Sequence, residues 1–463
     1  MTEVAIRSEA ALLRRSRPYS EYRDSGVRWL GQIPSHWEVK RLSLTVTACQ
    51  NGVWGSEADG IADTVCVRVA DFDRLQFRVN LSEPTLRSID PEVAKARKLR
   101  NGDLLLEKSG GGEKQPVGAL VVYDHEQPAV CSNFVARMPV SDSFHPRYLA
   151  YLHAALYAAR INTRSIKQST GIQNLDSASY LSEPVGLPNS SEQRAIANFL
   201  DRKTAEIDAL VAKKEQLTDL LQEKRTALIT RAVTRGLDPN VHMKDSGVEW
   251  LGEIPVHWEE ARVWRLCSAT SGATPTKDNP AYWNGNIPWV SPKDMKRRLI
   301  DTSRDLITQR ALEETGIRLV DPGAVLVVVR GMILAHSFPV ALATAPVTVN
   351  QDMKALRLVA GIDTSYFAWT LDGLARGIIA TVVEEAAHGT RAIRMDQWRN
   401  VVCPVPPYSE QLAIAHFLDH ATVETDALIA KMYEAIDHLH ELRTALISAA
   451  VTGKIDVREA TPQ

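Results

Sequence analysis

Three short stretches carry residue types that could do covalent or metal chemistry. The glycine-rich KSGGGEK at 108–114 would cradle phosphate on backbone N–H groups if it had P-loop spacing and opened a helix. It lacks the G-x-x-x-x-G-K-[ST] order, and the apolar QPVGALVVYD that follows reads as a strand. VPPY at 405–408 has the prolines and tyrosine of an amine-methylating N-P-P-Y motif, but Val405 stands where an amide would grip the target amine. No glycine-rich fingerprint for S-adenosylmethionine precedes it. Asp24, Glu38 and Lys40 have the order of a D…E-x-K metal-nuclease signature, yet the related stretch runs Glu259-Glu260-Ala261 and loses the lysine. No catalytic centre is expected.

Binding chemistry is better represented. RINTRSIKQSTGIQNL at 160–175 offers Arg160, Arg164 and Lys167 to phosphates, then Gln168, Gln173 and Asn174, amides of the type that pair with adenine edges. HGTRAIRMDQW at 388–398 puts Arg391 and Arg394 at the matching place in the second half of the chain, where arginine suits guanine or phosphate. SPKDMKRRLI at 291–300 adds Lys293, Lys296 and Arg297. Trp54 and Lys108 in the first half, with Thr274, Arg330, Asn350 and Gln351 in the second, complete the candidates for a nucleic-acid surface. Singly, such clusters are common on solvated surfaces. Recurrence at one depth in both halves gives them weight.

The elements that must position these residues are written twice. DSGVRWLGQIPSHWE at 24–38 returns as DSGVEWLGEIPVHWE at 245–259, an offset of 221 residues. A stretch beginning SEQRAIANFLD at Ser191 returns as SEQLAIAHFLD at Ser409, an offset of 218. The chain is two copies of one unit: a tryptophan-rich opening, a middle of about 150 residues and a long helical exit. Trp29, Trp37, Trp250 and Trp258 are expected to be apolar anchors, with His36 and Glu38, or His257 and Glu259, fixing the turn.

Each exit runs for more than forty residues without Pro or Gly, and its Ser-Glu-Gln start predicts an N-cap with acid in the first turn. In the second copy Leu418, Thr425, Met432, Leu439 and Leu446 recur every seven residues, with Ala421, Leu428, Ala435, Leu442 and Ala449 three residues after each. In the first, Leu200, Ile207, Leu221 and Leu228 with Leu210 and Leu217 keep the same seam, interrupted by Lys203, Lys214 and Lys224. Such helices are about 65 Å long at about 1.5 Å per residue. They cannot bury a seam alone, so an antiparallel two-helix coiled coil is predicted.

The middles mix short apolar runs, DLLLEK at 103–108 and GAVLVVVRG at 323–331, with Gly, Pro and Asn breaks. The expected fold is α+β, two globular domains joined by the helical pair in a pseudo-twofold internal repeat. Boundaries fall at 1–40 for the opening segment, 41–188 for the first domain, 189–235 for the first long helix and 236–261 for the second opening. The second domain takes 262–407, the last helix 408–452 and a tail 453–463.

Composition limits the alternatives. Apolar residues are 44% and charged residues 24%, and no run approaches the roughly 18 apolar residues of a membrane span. The Arg-rich start lacks a secretory apolar region, so a soluble cytoplasmic protein is expected. Five scattered cysteines without a C-x-x-C pair predict reduced thiols and no metal site. Net charge is −2, unusual for a nucleic-acid binder, although 137–175 alone has five basic residues against one acidic.

The paired DSGV-WLG-IP-HWE openings, GATPTKDNPAYWNGNIPWVSPKDM, VRGMILAHSFPVALATAPVTVNQDMKAL and the two P-SEQ-AIA-FLD exits together resemble the specificity subunit of type I restriction-modification enzymes. The resemblance covers nearly the whole chain. It implies a non-catalytic subunit whose two target-recognition domains each read half of a bipartite double-stranded DNA site. Two methyltransferase subunits would supply S-adenosylmethionine chemistry, and two restriction subunits ATP- and Mg-dependent translocation and cleavage. The first domain departs from the pattern, with NGVWGSEADG for GATPTKDNPAYW and STGIQNL for HGTRAIRM. The competing readings are an all-in-one restriction-modification enzyme and a coiled-coil scaffold without sequence-specific DNA binding.

Overall fold

The computed structural model describes residues 17–61, 63–169, 171–386 and 389–458. The start of the opening segment, Thr170, His388 and the end of the tail lie outside the described residues. The chain divides into two compact units, 1–215 with 433–463, and 216–432. Each unit therefore holds one half of each long helix.

The helices Ser190–Arg235 and Tyr408–Val451 form where no helix breaker interrupts the sequence. The first begins on Asn189, whose side-chain oxygen accepts from the Glu192 N–H at 3.0 Å, so the cap is Asn189 and not the serine of Ser-Glu-Gln. They end before Gly236 and Gly453, both at positive φ, where glycine avoids the Cβ clash of a left-handed stop. Their buried faces keep Leu200, Ile207, Leu418 and Leu446 of the predicted seam and move its other row by one residue. Leu200, Thr204, Ile207, Val211 and Thr218 are buried on the first helix, and Leu418, Thr422, Ile436, Arg443 and Leu446 on the second. Leu210, Leu217 and Leu428 are exposed, while Leu221, Leu439 and Leu442 are half-buried. Steps of three and four residues both keep one helix face, and choosing leucine over the polar neighbour picked the wrong step.

In the first unit Ile207 and Val211 share a core with Ile436 and Leu446, and Arg443 Nε donates to Asp208 Oδ1 at 2.9 Å. In the second, Ile229 and Val233 share a core with Ile414 and Leu418, and Arg225 Nε donates to Asp426 Oδ1 at 2.6 Å. The two ion pairs are related by the 218-residue repeat.

The middles are mixed α and β, built on a common plan. In the first unit the buried strand Leu104–Glu107 lies antiparallel between Leu120–Val122 and Val135–Met138, within a six-stranded sheet. In the second, Val325–Val328 lies antiparallel between Val340–Ala343 and Met353–Leu358, within a five-stranded sheet. These are the DLLLEK and GAVLVVVRG runs. Burial on both faces explains their unbroken apolar character. A small sheet closes each unit, Glu38–Arg41 with Pro184–Leu187 and Glu259–Arg262 with Val402–Val405.

The opening segments are held by the start of the exit helices. Trp37 and Trp258 are each 1% exposed. Trp37 Nε1 and His36 Nε2 meet the Glu192 carboxylate at 3.0 and 2.9 Å, and Trp258 Nε1 and His257 Nε2 meet Glu410 at 2.8 and 2.7 Å. Trp29 and Trp250 pack against the same cores, half-buried. The carboxylate that fixes the turn is thus distant in sequence, and Glu38 instead pairs with Lys40 on the surface. Among the described residues no group of three metal-ligating side chains occurs, and no helix is long and apolar enough to cross a membrane. All five cysteines are unpaired, and burial raises the Cys131 and Cys403 thiols to about 12.

Candidate nucleic-acid interface

In the first unit the 160–175 stretch becomes a three-stranded sheet with the glycine-rich loop. Ile166–Ser169 and Ile172–Leu175 form a hairpin, turned at Gly171 with φ +85°, and Ser109–Gly110 pairs on its other edge. Directly paired residues share a face, so Ser109, Asn174 and Lys167 form one row and Gly110, Gln173 and Gln168 the opposite one. Ser109 Oγ donates to Asn174 Oδ1 at 2.6 Å, and Lys108 Nζ donates to Asn51 Oδ1 at 3.0 Å. The Val117 N–H donates to Gln173 Oε1 at 3.2 Å.

Two of the basic residues here, Lys167 and Arg164, are paired. Lys167 Nζ lies 2.7 Å from Asp176 Oδ2, a bond that holds the Asp176 carboxyl below the usual carboxylate range. Arg164 lies 3.6 Å from Glu183. Arg160 is exposed in a left-handed conformation, φ 59°, where the helix Pro146–Ala158 hands over to the next turn. Trp54 is 37% exposed, with the Arg87 guanidinium 4.4 Å above its ring and bonded to Trp54 O. Asn51, Arg87 and Ser109 were missed by sequence reasoning. Trp54 and Arg87 lie 33 residues apart, and no local pattern joins them.

The second unit repeats the scaffold with other side chains. Arg330 bridges Ala392 antiparallel, as Ser109 pairs with Asn174. Arg391 Nη2 lies 3.1 Å from Glu385, its partner on the neighbouring strand, and Arg394 Nε 3.9 Å from Glu384. A cleft of about 560 Å³ gathers Thr274, Lys293, Asn350 and Gln351 around Trp283 and Trp289. The two rings meet edge to face at 5.2 Å, and the Thr274 hydroxyl bonds Gln351 Oε1. Asn350 is buried, its amide tied to Asp352. Lys296 and Arg297 are exposed and outside the cleft, Arg297 lying 3.9 Å from Asp301. Their neighbour Arg298 turns inward, 3.4 Å from the Trp369 ring, and burial pushes its guanidinium down to about 10.

One backbone feature is common to both faces. A Cβ on Gly52 would lie 1.8 Å from Cys131 O, and one on Gly272 would lie 2.0 Å from Asn350 O and 2.1 Å from Val349 O. The following N–H groups, of Val53 and Ala273, donate to Cys131 O and Val349 O. Only glycine allows the variable loop to leave the sheet here.

Comparison with known proteins agrees with these features. Residues 255–438 match the family model described as the type I restriction modification DNA specificity domain. The chain is 30% identical over 268 residues to the EcoR124I/EcoR124II specificity subunit of Escherichia coli, covering 56% of this chain and 59% of that one. A putative MjaX specificity subunit of Methanocaldococcus jannaschii is 21% identical over 93% of this chain and 96% of its own. The chain thus spans under two thirds of the E. coli relative and nearly all of the archaeal one. A solved chain from work on complex assembly and conformational transition of the type I R-M system superposes with TM-score 0.65 at 16% identity, covering 90% of this chain and 98% of that one. That likeness shows a shared fold. Over the stretches they match, these comparisons make the chain similar to type I restriction-modification specificity subunits.

Proposed function

We propose that this chain is the non-catalytic, DNA-reading subunit of a cytoplasmic type I restriction-modification complex. Its recognition domains, 41–188 and 262–407, each read one half of a bipartite duplex site. The observation that carries this reading is the repeat-matched strand pairing, Ser109 with Asn174 and Arg330 with Ala392, on which one scaffold presents two unlike faces. Two faces of different chemistry suit two different half-sites, because specificity is read from base edges.

The contacts proposed for the first face are Trp54, Lys108, Arg160, Arg164, Lys167, Gln168, Gln173 and Asn174. Those for the second are Thr274, Lys293, Lys296, Arg297, Arg330, Asn350, Gln351, Arg391 and Arg394. The long helices form an antiparallel coiled coil, a reading supported by the early-with-late pairing of Asp208 with Arg443 and Asp426 with Arg225. Two methyltransferase and two restriction subunits dock on the parts shared by both repeats, carrying S-adenosylmethionine, ATP and Mg themselves.

The test is selection from random-sequence duplex by the chain assembled with its methyltransferase partner. Enrichment of a two-part motif with a fixed gap is expected, and unenriched binding overturns the reading in favour of a scaffold. Methylation by this chain alone would establish the all-in-one enzyme instead.

A further inference from the structure

Resting on that reading, we infer that the first domain reads its half-site as a donor, through amides whose oxygens are already held by the protein. Bidentate recognition of adenine by Asn or Gln needs both ends of the amide: the oxygen for N6–H₂ and the nitrogen for N7. In this sheet the amide oxygens are engaged, Gln173 in the row opposite to Asn174 included. Asn174 Oδ1 accepts from the Ser109 hydroxyl at 2.6 Å, Asn51 Oδ1 from the Lys108 ammonium at 3.0 Å and Gln173 Oε1 from the Val117 N–H at 3.2 Å.

These bonds come from different strands, so the amides are set by the sheet and not by a neighbour in sequence. Lys108 and Ser109 are consecutive, and the Leu175 N–H donates to Lys108 O at 2.8 Å, which joins the Asn51 and Asn174 groups into one patch. Asn174, Lys108 and Ser109 are at or near the surface. Each oxygen keeps a second lone pair but is fixed against its protein donor, so the NH₂ is the end of Asn174 and Asn51 without a protein partner, and Lys108 adds an ammonium with further N–H donors. Such a patch matches base edges that only accept, N7 and O6 of guanine or O4 of thymine, and does not match the adenine pairing expected from amide type alone. Ser109 is thereby a specificity-determining residue that acts by positioning Asn174.

The experiment repeats the duplex selection with Asn174→Asp and Ser109→Ala in the same methyltransferase assembly. Asn174→Asp keeps the Ser109 bond and replaces NH₂ by an acceptor. One position of the first half-site is expected to change from guanine or thymine to a base offering a donor, adenine or cytosine, by about tenfold in relative enrichment. Ser109→Ala releases the amide oxygen and is expected to admit adenine at that same position. The second half-site, unchanged in both variants, reports that the protein is folded. A wild-type motif whose first half-site is untouched by either variant overturns this inference and leaves the DNA-reading function standing. No enriched motif from the wild type overturns both.

Discussion

The carboxylate that anchors each opening segment is the same residue of the repeat, yet its surroundings differ. Glu192 is buried to 2% of its side-chain surface and meets three donors, Tyr19 Oη at 2.7 Å besides His36 and Trp37. Glu410 is 40% exposed and meets two, His257 and Trp258. The repeat puts Asn240 where Tyr19 stands, and one aromatic hydroxyl separates a closed node from an open one. The helix ion pairs follow the same trend. Arg443 and Asp208 have 7% and 15% of their side chains exposed, against 23% and 49% for Arg225 and Asp426. A duplicated scaffold has kept its hydrogen bonds while their environments drifted apart, so equal substitutions should have unequal effects.

The widest gap is expected at the nodes. Glu192→Ala strands the Trp37 and Tyr19 donors in the interior and should cost about 3 kcal/mol, whereas Glu410→Ala should cost about 1 kcal/mol. Hydrogen exchange at 19–40 and at 243–262, followed by mass spectrometry, reads each unit separately, and equal losses would break the comparison. Next come the ion pairs. Arg443→Ala leaves Asp208 and the Leu75 carbonyl without their donor and should lower the first unit's stability by about 2 kcal/mol in urea unfolding. Arg225→Ala, whose partner Asp426 is half exposed, should cost under about 1 kcal/mol.

Acid sensitivity sharpens the contrast further. His153 is buried in the first unit, bonded to the Tyr180 hydroxyl, and burial pushes its pKa down to about 3. Unfolding lets it take up a proton near the ordinary value of about 6.5, so its share of stability is complete above that pH. It is lost as pH falls toward 3, at about 1.4 kcal/mol per pH unit. The repeat has Leu371 at that place. Urea midpoints between pH 4 and 6.5 should therefore fall more steeply for the first unit, and His153→Leu should flatten that slope. The last contrast concerns Arg391 and Arg394, whose charges are partly answered by Glu385 and Glu384. Their alanine variants should weaken only the second half-site, by about 1 kcal/mol each, and Glu384→Gln with Glu385→Gln should tighten it. A uniform loss at both half-sites would show that the arginines hold structure.

How much of this was legible in the sequence depended on distance along the chain. The repeat, both long helices and the buried strands at 104–107 and 325–328 follow from local pattern, because period and breaker residues act over a few positions. The seam was displaced by one step where Thr218 and Arg443 fill places that hydrophobicity assigned to Leu217 and Leu442. Glu192, Arg87 and the pairing of Ser109 with Asn174 were invisible, since each contact joins residues that only the folded backbone brings together. The candidate faces were thus located by their recurrence, while the state of each side chain, bonded or offered, had to come from the structure.

The pinch at Gly52 and Gly272 has a consequence for how such a protein can change. With no room for one added carbon, each crossing is a fixed punctuation mark in the text of its domain. The residues beyond it differ between the two units, as NGVWGSEADG and GATPTKDNPAYW do, while the place where each loop leaves its sheet stays the same.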